Sequence, residues 1–459
     1  MKKNDICRVE ITDLNNLGSG VGRTEDGRVI FVRGAVTGDV IDAKIIKVNS
    51  KFYVGRLESL VVPSKNRTDE RFCEAPESCG GCIYRHVTYE HELALKRNYV
   101  QNAFRKVGLP NVEVEPVAHT GEVSGYRNKA QFPVRDVKGR PTAGLFAVKT
   151  HDLIPVTTCA LQPAAFSDIA KTVCEMAYER GISAYDEEKG KGVLRHVYIR
   201  LGEATGELMI CLVINENCAA INKDFAASLA EKFPQTVSIM LNYNRRITNE
   251  ILGDEYECIF GREYIEDVLC GVHFRISADS FWQVNHKGAE LLYSLARERA
   301  DMKGGTLLDL YCGTGSIGLT MAKDADRLVG IEIVERAVEC ARINAAQNGI
   351  ENAEFYCGDA SDSEGIIASA EKQTGKINAD VVILDPPRKG STPELIGYIA
   401  ARKIPRVVYV SCDPDTLARD CKLFSELGYE IGKVTPVDMF PRTGHVESVV
   451  CLTKSDKAT

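Results

Sequence analysis

The second half of this 459-residue chain carries a regular rhythm of short apolar segments, each followed by a segment with helical spacing. The predicted strands are 306–310, 327–333, 354–357, 380–385 and 406–411, and the predicted helices include 317–322, 334–348 and 414–427. Strands that alternate with helices build a parallel sheet wrapped by helices. The rhythm therefore predicts a Rossmann-like α/β domain, to which the rest of the chain is attached.

A glycine-rich loop follows the first of these strands, at Gly313-Thr314-Gly315-Ser316-Ile317-Gly318. Glycines let the backbone approach a ligand closely, and an acid at the end of the second strand, here Glu332, can bind a ribose. The loop alone fits both a dinucleotide and S-adenosylmethionine. Two acids favour the latter, because Asp309 suits its cationic amino end and Asp359 can reach an adenine amino group. Helix capping is the alternative role of both acids.

Cys412 stands at the end of the fifth predicted strand, directly before a helix that starts near Pro414. In an open parallel sheet the functional crevice lies beyond the carboxyl ends of the strands. We expect the positive end of the helix to lower the pKa of the thiol and to favour the nucleophilic thiolate. Burial as a small apolar side chain is the alternative.

The front of the chain differs from the back in both pattern and charge. About five short strands separated by glycine turns occupy residues 6–60, which suggests a small barrel of the oligonucleotide-binding type. Residues 1–160 carry a net charge of +5 and the remaining residues −12. This asymmetry fits a binding module followed by an enzyme, although a generic barrel with a solvated basic face is the alternative.

Four of the 16 cysteines form a pattern of their own. Cys73, Cys79 and Cys82 are spaced C-x5-C-x2-C, and Cys159 follows 77 residues later. Three clustered thiols with a distant fourth favour an iron–sulfur cluster. Tetrahedral zinc also accepts four thiolates and remains the alternative, as does the absence of any metal.

Five motifs occur in a fixed order, at residues 280–285 (SFWQVN), 309–315 (DLYCGTG), 385–388 (DPPR), 411–414 (SCDP) and 444–449 (GHVESV). Together they resemble the RNA uracil-5-methyltransferase family over nearly the whole chain. The resemblance implies methyl transfer from S-adenosylmethionine to C5 of a uridine. Cys412 would add to C6 of the ring, and Glu447 would remove the C5 proton.

The same resemblance implies the ligand contacts. The expected cofactor-binding residues are Gln283, Tyr311, Ser316, Glu332, Asp359 and Asp385. Asp385 could also accept the N3–H of uracil. Cys73, Cys79, Cys82 and Cys159 match the family's [4Fe–4S] ligands, and we expect that cluster to order the central domain, because methyl transfer needs no electron.

The barrel resembles a TRAM domain, and barrel and cysteines together resemble the branch that methylates 23S rRNA, with tRNA as the alternative substrate. The implied domains are a TRAM barrel (1–62), an α+β iron–sulfur domain (63–91 and 120–272) and the methyltransferase domain (92–119 and 273–459). The sequence contains no apolar run of membrane-spanning length and no signal-peptide core, so we expect a cytoplasmic monomer with no membrane partner.

The target base has to leave its stack to reach Cys412, so we expect a loop substrate or a flipped base. Tyr126-Arg127-Asn128-Lys129 resembles the family's RNA-facing segment. Arg195-His196 and Arg388-Lys389 are weaker RNA candidates, and a solvated face is the alternative for both. Two alternatives from other classes remain: an NAD-dependent oxidoreductase, and a non-catalytic RNA-binding protein whose iron–sulfur site senses redox state.

Overall fold

A computed structural model describes residues 1–68, 72–148, 150–155, 158–359 and 363–455 of the chain. Within these ranges the chain forms a barrel, a central mixed sheet of seven strands and a C-terminal sheet of seven strands covered by helices. No helix in the described ranges has the length and apolarity needed to cross a membrane.

The barrel is closed in the order β1-β2-β3-β5-β4. Its strands are β1 (Ile6–Leu14), β2 (Ser19–Arg23), β3 (Val29–Arg33), β4 (Val40–Val48) and β5 (Phe52–Val62). Apolar residues at alternate positions, such as Val9 and Ile11, point into the barrel because successive side chains on a strand face opposite sides. The expected five-stranded barrel is therefore confirmed.

The central sheet has the order β12-β11-β10-β9-β6-β7-β8. Its strands are β6 (Lys129–Val137), β7 (Arg140–Phe146), β8 (Leu153–Pro155), β9 (Leu194–Leu201), β10 (Leu208–Ile214), β11 (Thr236–Tyr243) and β12 (Glu255–Gly261). Helices α2 (Ala164–Glu179) and α3 (Lys223–Lys232) cover one face. The other face, with Tyr198 and Cys211, packs into the same core as Trp282 and α4.

The C-terminal sheet has the order β17-β16-β15-β18-β19-β21-β20. Its strands are β15 (Thr306–Leu310), β16 (Arg327–Glu332), β17 (Ala353–Cys357), β18 (Val381–Leu384), β19 (Arg406–Ser411), β20 (Tyr429–Val437) and β21 (Glu447–Lys454). The first five strands are parallel, and β21 lies antiparallel between β19 and β20. The predicted parallel sheet is confirmed, and strand order reverses direction at β15, between β16 and β18.

Helices surround this sheet, and a hairpin leads into it. The helices are α1 (Tyr89–Lys106), α4 (His286–Ala300), α5 (Ser316–Met321) with a short 3-10 turn (Ala322–Asp324), α6 (Glu335–Gln347), α7 (Ser363–Thr374), α8 (Pro393–Ala401) and α9 (Pro414–Glu426). The hairpin consists of β13 (Tyr264–Leu269) and β14 (Val272–Ser277). Helix α1 precedes the central sheet in sequence but packs on α9 and β20, as the split of the catalytic domain anticipates. The exact domain boundaries stay predictions.

Candidate active site

The carboxyl ends of four parallel strands meet at one edge of the C-terminal sheet. Leu310 pairs with Ile331 on one side and with Leu384 on the other, and Leu384 pairs with Tyr409. The register therefore brings together the residues that end or directly follow these strands, which are Tyr311, Glu332, Asp385 and Cys412.

The glycine-rich loop is held in place by the acid at the end of β16. Glu332 Oε2 accepts a hydrogen bond from the Gly313 N–H (3.0 Å), and its Oε1 accepts one from the Val334 N–H (3.0 Å). Gly313 (φ 55°) and Gly315 (φ 80°) both adopt the left-handed conformation that favours glycine. Glu332 thus joins the loop to the second strand at the position expected of a ribose ligand.

Asp309 has a structural role in this site. Its carboxylate is buried, and Oδ2 accepts a hydrogen bond from the Gly318 N–H at the start of α5 (3.0 Å). Burial raises the pKa of Asp309 to about 8, and the charges of Asp385 and Glu332 add to the shift. This geometry matches the helix-capping alternative, and the contact of Asp309 with a ligand's amino group stays a prediction.

The remaining expected cofactor residues line the same edge. Tyr311 is half-buried with a strained backbone (φ 68°), and the hydroxyl of Ser316 is hydrogen bonded to that of Tyr293 (2.9 Å). Asp359 is exposed just after β17 and close enough to Tyr311 for its charge to raise that hydroxyl's pKa, although burial is the larger cause. Gln283 is half-buried, and its carbonyl accepts a hydrogen bond from Asn128 Nδ2 (3.0 Å).

The thiol of Cys412 is half-buried between β19 and α9. Burial and the charges of Glu447 and Asp385 raise its pKa to about 11, against a smaller lowering by Arg388. The expectation that the helix start lowers this pKa is therefore wrong for the free protein. At the start of α9, the carboxylate of Asp413 accepts hydrogen bonds from the first amides of the helix, those of Asp415 and Thr416.

Glu447 opens β21 beside Cys412 and is buried, with 6% of its surface exposed. Burial and the charge of Asp385 raise its pKa to about 8, while Arg388 lowers it. Burial likewise raises the pKa of Asp385 to about 7. Two carboxyl groups and a thiol therefore share one low-dielectric site, where each disfavours ionisation of the others.

A buried charged network that the sequence did not reveal supports the loop before Glu447. Lys96 Nζ on α1 donates to Asp438 Oδ1 (2.6 Å), Glu92 Oε1 (2.8 Å) and the carbonyl of Phe440 (3.1 Å). The Arg442 N–H donates to Glu92 Oε1 (2.7 Å). Apart from the pair of Lys96 and Glu92 on α1, these contacts connect residues 342 to 350 positions apart, so no local pattern could have indicated them.

A cluster of cations lies where the central sheet meets the catalytic domain. Lys129 on β6 pairs in register with Arg200 on β9, and burial together with Arg200 and Arg127 lowers the pKa of Lys129 to about 8. Arg200 also donates to the carbonyl of Ser280. Like charges directly opposite one another are unfavourable, so this arrangement favours an anionic partner. Phe281, next to Ser280, is 70% exposed, a signal the sequence reading missed.

Two of the expected RNA contacts look different in the structure. Tyr126 is buried, and its hydroxyl donates to the carbonyl of Pro441 (2.9 Å), so its ring does not form a surface for base stacking. Arg195 and His196 are also buried, which rules out the solvated face considered for them. Arg388 and Lys389 are exposed. The positive charge of Arg388 lies close enough to Cys412 and Glu447 to lower the pKa values of both.

The four patterned cysteines lie near one another. Burial is the main cause that raises the pKa of Cys82 to about 12, and the neighbouring thiols of Cys159, Cys73 and Cys79 contribute. Their loop is joined to the β7–β8 hairpin, because the Val148 N–H donates to the carbonyl of Ser78 (2.9 Å). Among the described residues, no three His, Cys, Asp or Glu side chains are grouped closely enough to hold a metal ion.

The sheet order, the glycine-rich loop and the polar strand ends define a Rossmann-like methyltransferase domain. A family model described as tRNA (Uracil-5-)-methyltransferase matches residues 88–455, and that of the TRAM domain matches residues 2–57. The chain therefore belongs to the tRNA (uracil-5-)-methyltransferase family and carries an N-terminal TRAM domain. It is an RNA uracil-5-methyltransferase, and the recognised family is confirmed.

Individual relatives are similar to this chain over nearly their full length. An RNA methyltransferase of Listeria innocua is 41% identical over 99% of this chain and 98% of its own, and one of Bacillus cereus is 40% identical over 100% and 98%. Among solved structures, the Pyrococcus abyssi tRNA (uracil-54, C5)-methyltransferase in complex with S-adenosyl-L-homocysteine has a TM-score of 0.77. It is 27% identical over 97% of this chain and 100% of its own.

Proposed function

We propose that the chain transfers a methyl group from S-adenosylmethionine to C5 of a uridine in 23S rRNA. The observation that carries the chemistry is the juxtaposition of Cys412, Glu447 and Asp385 at the carboxyl edge of the sheet. Uracil C5 is a poor nucleophile, and addition of a thiolate to C6 gives C5 the electron density needed to attack a methyl sulfonium.

The proposed reaction passes through a covalent intermediate. The sulfur of Cys412 bonds to C6, the C5=C6 electron pair becomes an enolate, and C5 takes the methyl group as the S–CH3 bond breaks. The carboxylate of Glu447 then removes the C5 proton, and the C6–S bond breaks to restore the ring and the thiolate. A base with a pKa of about 8 suits this task, because proton transfer is most effective when the pKa lies near the working pH.

The thiol has to lose its proton before it attacks. Asp385 and Glu447 lie close enough to raise its pKa, and the pKa values of both carboxyl groups lie near neutrality. Asp385 can therefore take the thiol proton, which leaves the Glu447 carboxylate free to remove the C5 proton, and the neutral Asp385 no longer opposes the thiolate. Asp385 retains partial exposure toward the crevice, which suits the additional contact with the N3–H of uracil.

We assign the methyl donor to the edge formed by the glycine-rich loop. Glu332 is the proposed ribose ligand, Asp359 the adenine contact, and Gln283 and Tyr311 the methionine contacts. Ser316 and Asp385 complete the set. The Glu332 carboxylate already spans two backbone amides, and each oxygen keeps a lone pair for a sugar hydroxyl.

The TRAM barrel and the cations between the two sheets are the proposed RNA-binding regions. Lys129, Arg127 and Arg200 form a concentrated positive site that suits backbone phosphates. The exposed ring of Phe281 follows directly after Ser280, whose carbonyl Arg200 binds, so it can stack on a base next to the flipped uracil.

tRNA is the second candidate substrate, and a specific observation favours it. The expectation of rRNA rests on the barrel and the cysteines. The Pyrococcus abyssi tRNA enzyme matches 97% of this chain, so its similarity extends through most of the barrel. The barrel therefore does not separate the two substrates, and the cysteine site carries the preference for rRNA.

We propose that Cys73, Cys79, Cys82 and Cys159 hold a [4Fe–4S] cluster. The donor set fits, because four thiols lie within electrostatic reach of one another beside the positive charge of Arg127. Binding requires the thiols to draw closer together than they stand. The cluster would fasten the cysteine loop to the β7–β8 hairpin. Anaerobic protein should contain about four iron atoms per chain, and a Cys82→Ser variant should lose them.

Methylation of two unmodified transcripts tests the function. The protein, which we propose is a cytoplasmic monomer, is incubated with labelled S-adenosylmethionine and either 23S rRNA or tRNA. We expect 5-methyluridine in 23S rRNA, none with Cys412→Ala, and normal activity with the control Cys218→Ala. Label in tRNA alone would establish the second candidate, and label in neither would contradict the proposal. A mass measurement in solution checks the monomer.

A further inference from the structure

The central domain contains a cavity of about 310 Å³ that is separate from the strand ends described above. The residues that line it include Gln131, Phe146, His151, Glu187, Arg195 and His196. Its volume lies at the lower end of the range in which proteins bind small ligands, which suits a single ring system. None of these residues has a role in the proposed methyl transfer.

Two residues that line the cavity contain polar atoms without partners. His196 and Arg195 are only 6% and 2% exposed. Within the described part of the chain, His196 Nδ1 and Arg195 Nε are buried and form no hydrogen bond. Buried polar atoms are normally paired, so an unpaired one in a residue that lines a cavity can take a ligand group or a water as its partner.

His196 is electrically neutral in this setting. Burial and the positive charges of Arg135 and Arg195 lower its pKa to about 3, and the carboxylate of Glu187 opposes them only in part. A neutral imidazole offers one nitrogen as a donor and the other as an acceptor. The free Nδ1 can therefore pair with a polar edge of an uncharged ligand.

One wall of the cavity is flat and aromatic. The rings of Phe146 and His151 are stacked with centroids 4.9 Å apart and planes 14° from parallel. The guanidinium of Arg135 lies 5.1 Å from the centre of the Phe146 ring, and His151 Nδ1 is held by Glu187 Oε2 at 2.7 Å. Because His151 covers one face of Phe146, the planar surface left for a ligand is the outer face of the His151 ring, whose orientation Glu187 fixes.

The charges at the cavity argue against a free anion. Glu187 and Glu250 both line it, and Glu187 already forms ion pairs with Arg135 and His151. A ligand that stacks on a flat wall and pairs through one edge while remaining uncharged has the chemistry of a nucleobase.

The strand register connects this cavity to the proposed RNA path. Gln131 lies opposite Tyr198, and Pro133 lies opposite His196, two and four residues along β6 from the pair formed by Lys129 and Arg200. Alternate residues share a face, so the cavity lies on the same face of the sheet as those cations. Four residues of strand span about 13 Å, a length that a short stretch of RNA can cover.

We propose that the cavity binds one unpaired base of the RNA substrate, other than the target uracil, stacked on the ring of His151 and hydrogen bonded to His196. The proposal rests on the proposed function only in that the substrate is RNA. A second base held apart from the helix would fix the register of the strand and so determine which uridine reaches Cys412.

Methylation kinetics and RNA binding of three variants test this proposal. His151→Ala removes an exposed part of the wall and should not disturb folding, while His196→Leu removes the hydrogen bond. His273→Ala, an exposed histidine on β14, is the matched control. We expect KM and the RNA Kd to rise about 5- to 100-fold in the first two variants, the range for loss of one stacked base, with kcat and S-adenosylhomocysteine affinity unchanged.

RNA fragments with one abasic nucleotide identify the base. An abasic nucleotide at one non-target position should weaken RNA binding by the wild type but cause no further loss of binding by His151→Ala. Unchanged RNA affinity in His151→Ala and His196→Leu would overturn the proposal, as would losses that simply add at every position. Because binding is measured separately, absence of methylation would refute the proposed function while leaving this test intact.

Discussion

Ser411 pairs with Ser448 across the antiparallel strands β19 and β21, which brings Cys412 and Glu447 side by side. Cys412, which follows Ser411, and Glu447, which precedes Ser448, therefore meet at the edge of the sheet. This single register places a nucleophile and a base from segments 35 positions apart in one buried site. It also explains why the carboxylate of Glu447 raises the pKa of the thiol.

Replacing Glu447 by Gln should leave the thiol able to attack but remove the group that takes the C5 proton. We expect turnover to fall about 10²- to 10⁴-fold, while the covalent protein–RNA adduct accumulates. Denaturing gels of variant protein with a labelled RNA fragment and S-adenosylmethionine measure the adduct.

The exposed Glu430 on β20 supplies a matched control. Glu430→Gln should turn over normally and show no adduct beyond the wild-type level. If Glu447→Gln lost activity without accumulating adduct, another group would have to remove the C5 proton.

The reactivity of Cys412 should depend on its acidic neighbours. Because Glu447 and Asp385 raise the thiol pKa, Glu447→Gln should lower that pKa and speed alkylation at pH 8. The rate of Cys412 alkylation by iodoacetamide, followed by peptide mass spectrometry from pH 6 to pH 10, gives the pKa. Equal profiles for the wild type and the variant would show that the two groups do not interact.

Stability should respond to pH in the direction set by Glu447. Its folded pKa of about 8 lies above the unfolded value, so the native state binds the extra proton between the two. Its contribution to stability is complete below the unfolded pKa and is lost as the pH rises through the folded pKa. Glu447→Gln should therefore unfold at higher urea than the wild type at pH 8.5, by roughly 1–4 kcal/mol, with a much smaller gain at pH 5.

Glu332→Gln should weaken binding of S-adenosylhomocysteine. The variant loses the charge that accepts both backbone and sugar hydrogen bonds, so we expect about a 10- to 100-fold increase in Kd by calorimetry. The neighbouring Glu335, exposed on α6, is the control. An unchanged Kd in Glu332→Gln would remove Glu332 from the binding site.

Breaking the buried network around Lys96 should destabilise the loop that leads to Glu447. Lys96→Met leaves Glu92 and Asp438 buried without their shared cation, which typically costs about 3–5 kcal/mol. Urea unfolding measures the loss. Lys106→Met, which breaks the exposed pair with Asp415, should have a far smaller effect. Similar losses in both variants would contradict the role of burial.

Much of the catalytic sheet could be predicted because its elements follow local rules. The strands Thr306–Leu310 and Arg406–Ser411 and the start of α9 at Pro414 match the structure, since short apolar runs and a helix cap are read directly from neighbouring residues. The strands β20 and β21, the hairpin of β13 and β14, and helix α8 were not predicted.

The site was harder to predict wherever the answer depended on contacts far apart in sequence. The pKa of Cys412 rises because the thiol is buried and because two distant carboxylates, those of Glu447 and Asp385, approach it. Likewise, the burial of Arg195 and His196 follows from packing of the central sheet, which a short basic dipeptide does not reveal.

The central claim is a covalent bond between Cys412 and C6 of the target uracil. RNA that carries 5-fluorouridine at the target position has no proton at C5 for a base to remove. The methyl group is therefore transferred, but the reaction should stop at the methylated covalent adduct. We predict a denaturation-resistant protein–RNA complex in which mass spectrometry finds the methylated fluorouracil on Cys412, with Cys412→Ala forming none. Methylation of ordinary RNA without any trapped complex, or a complex through another residue, would contradict the account.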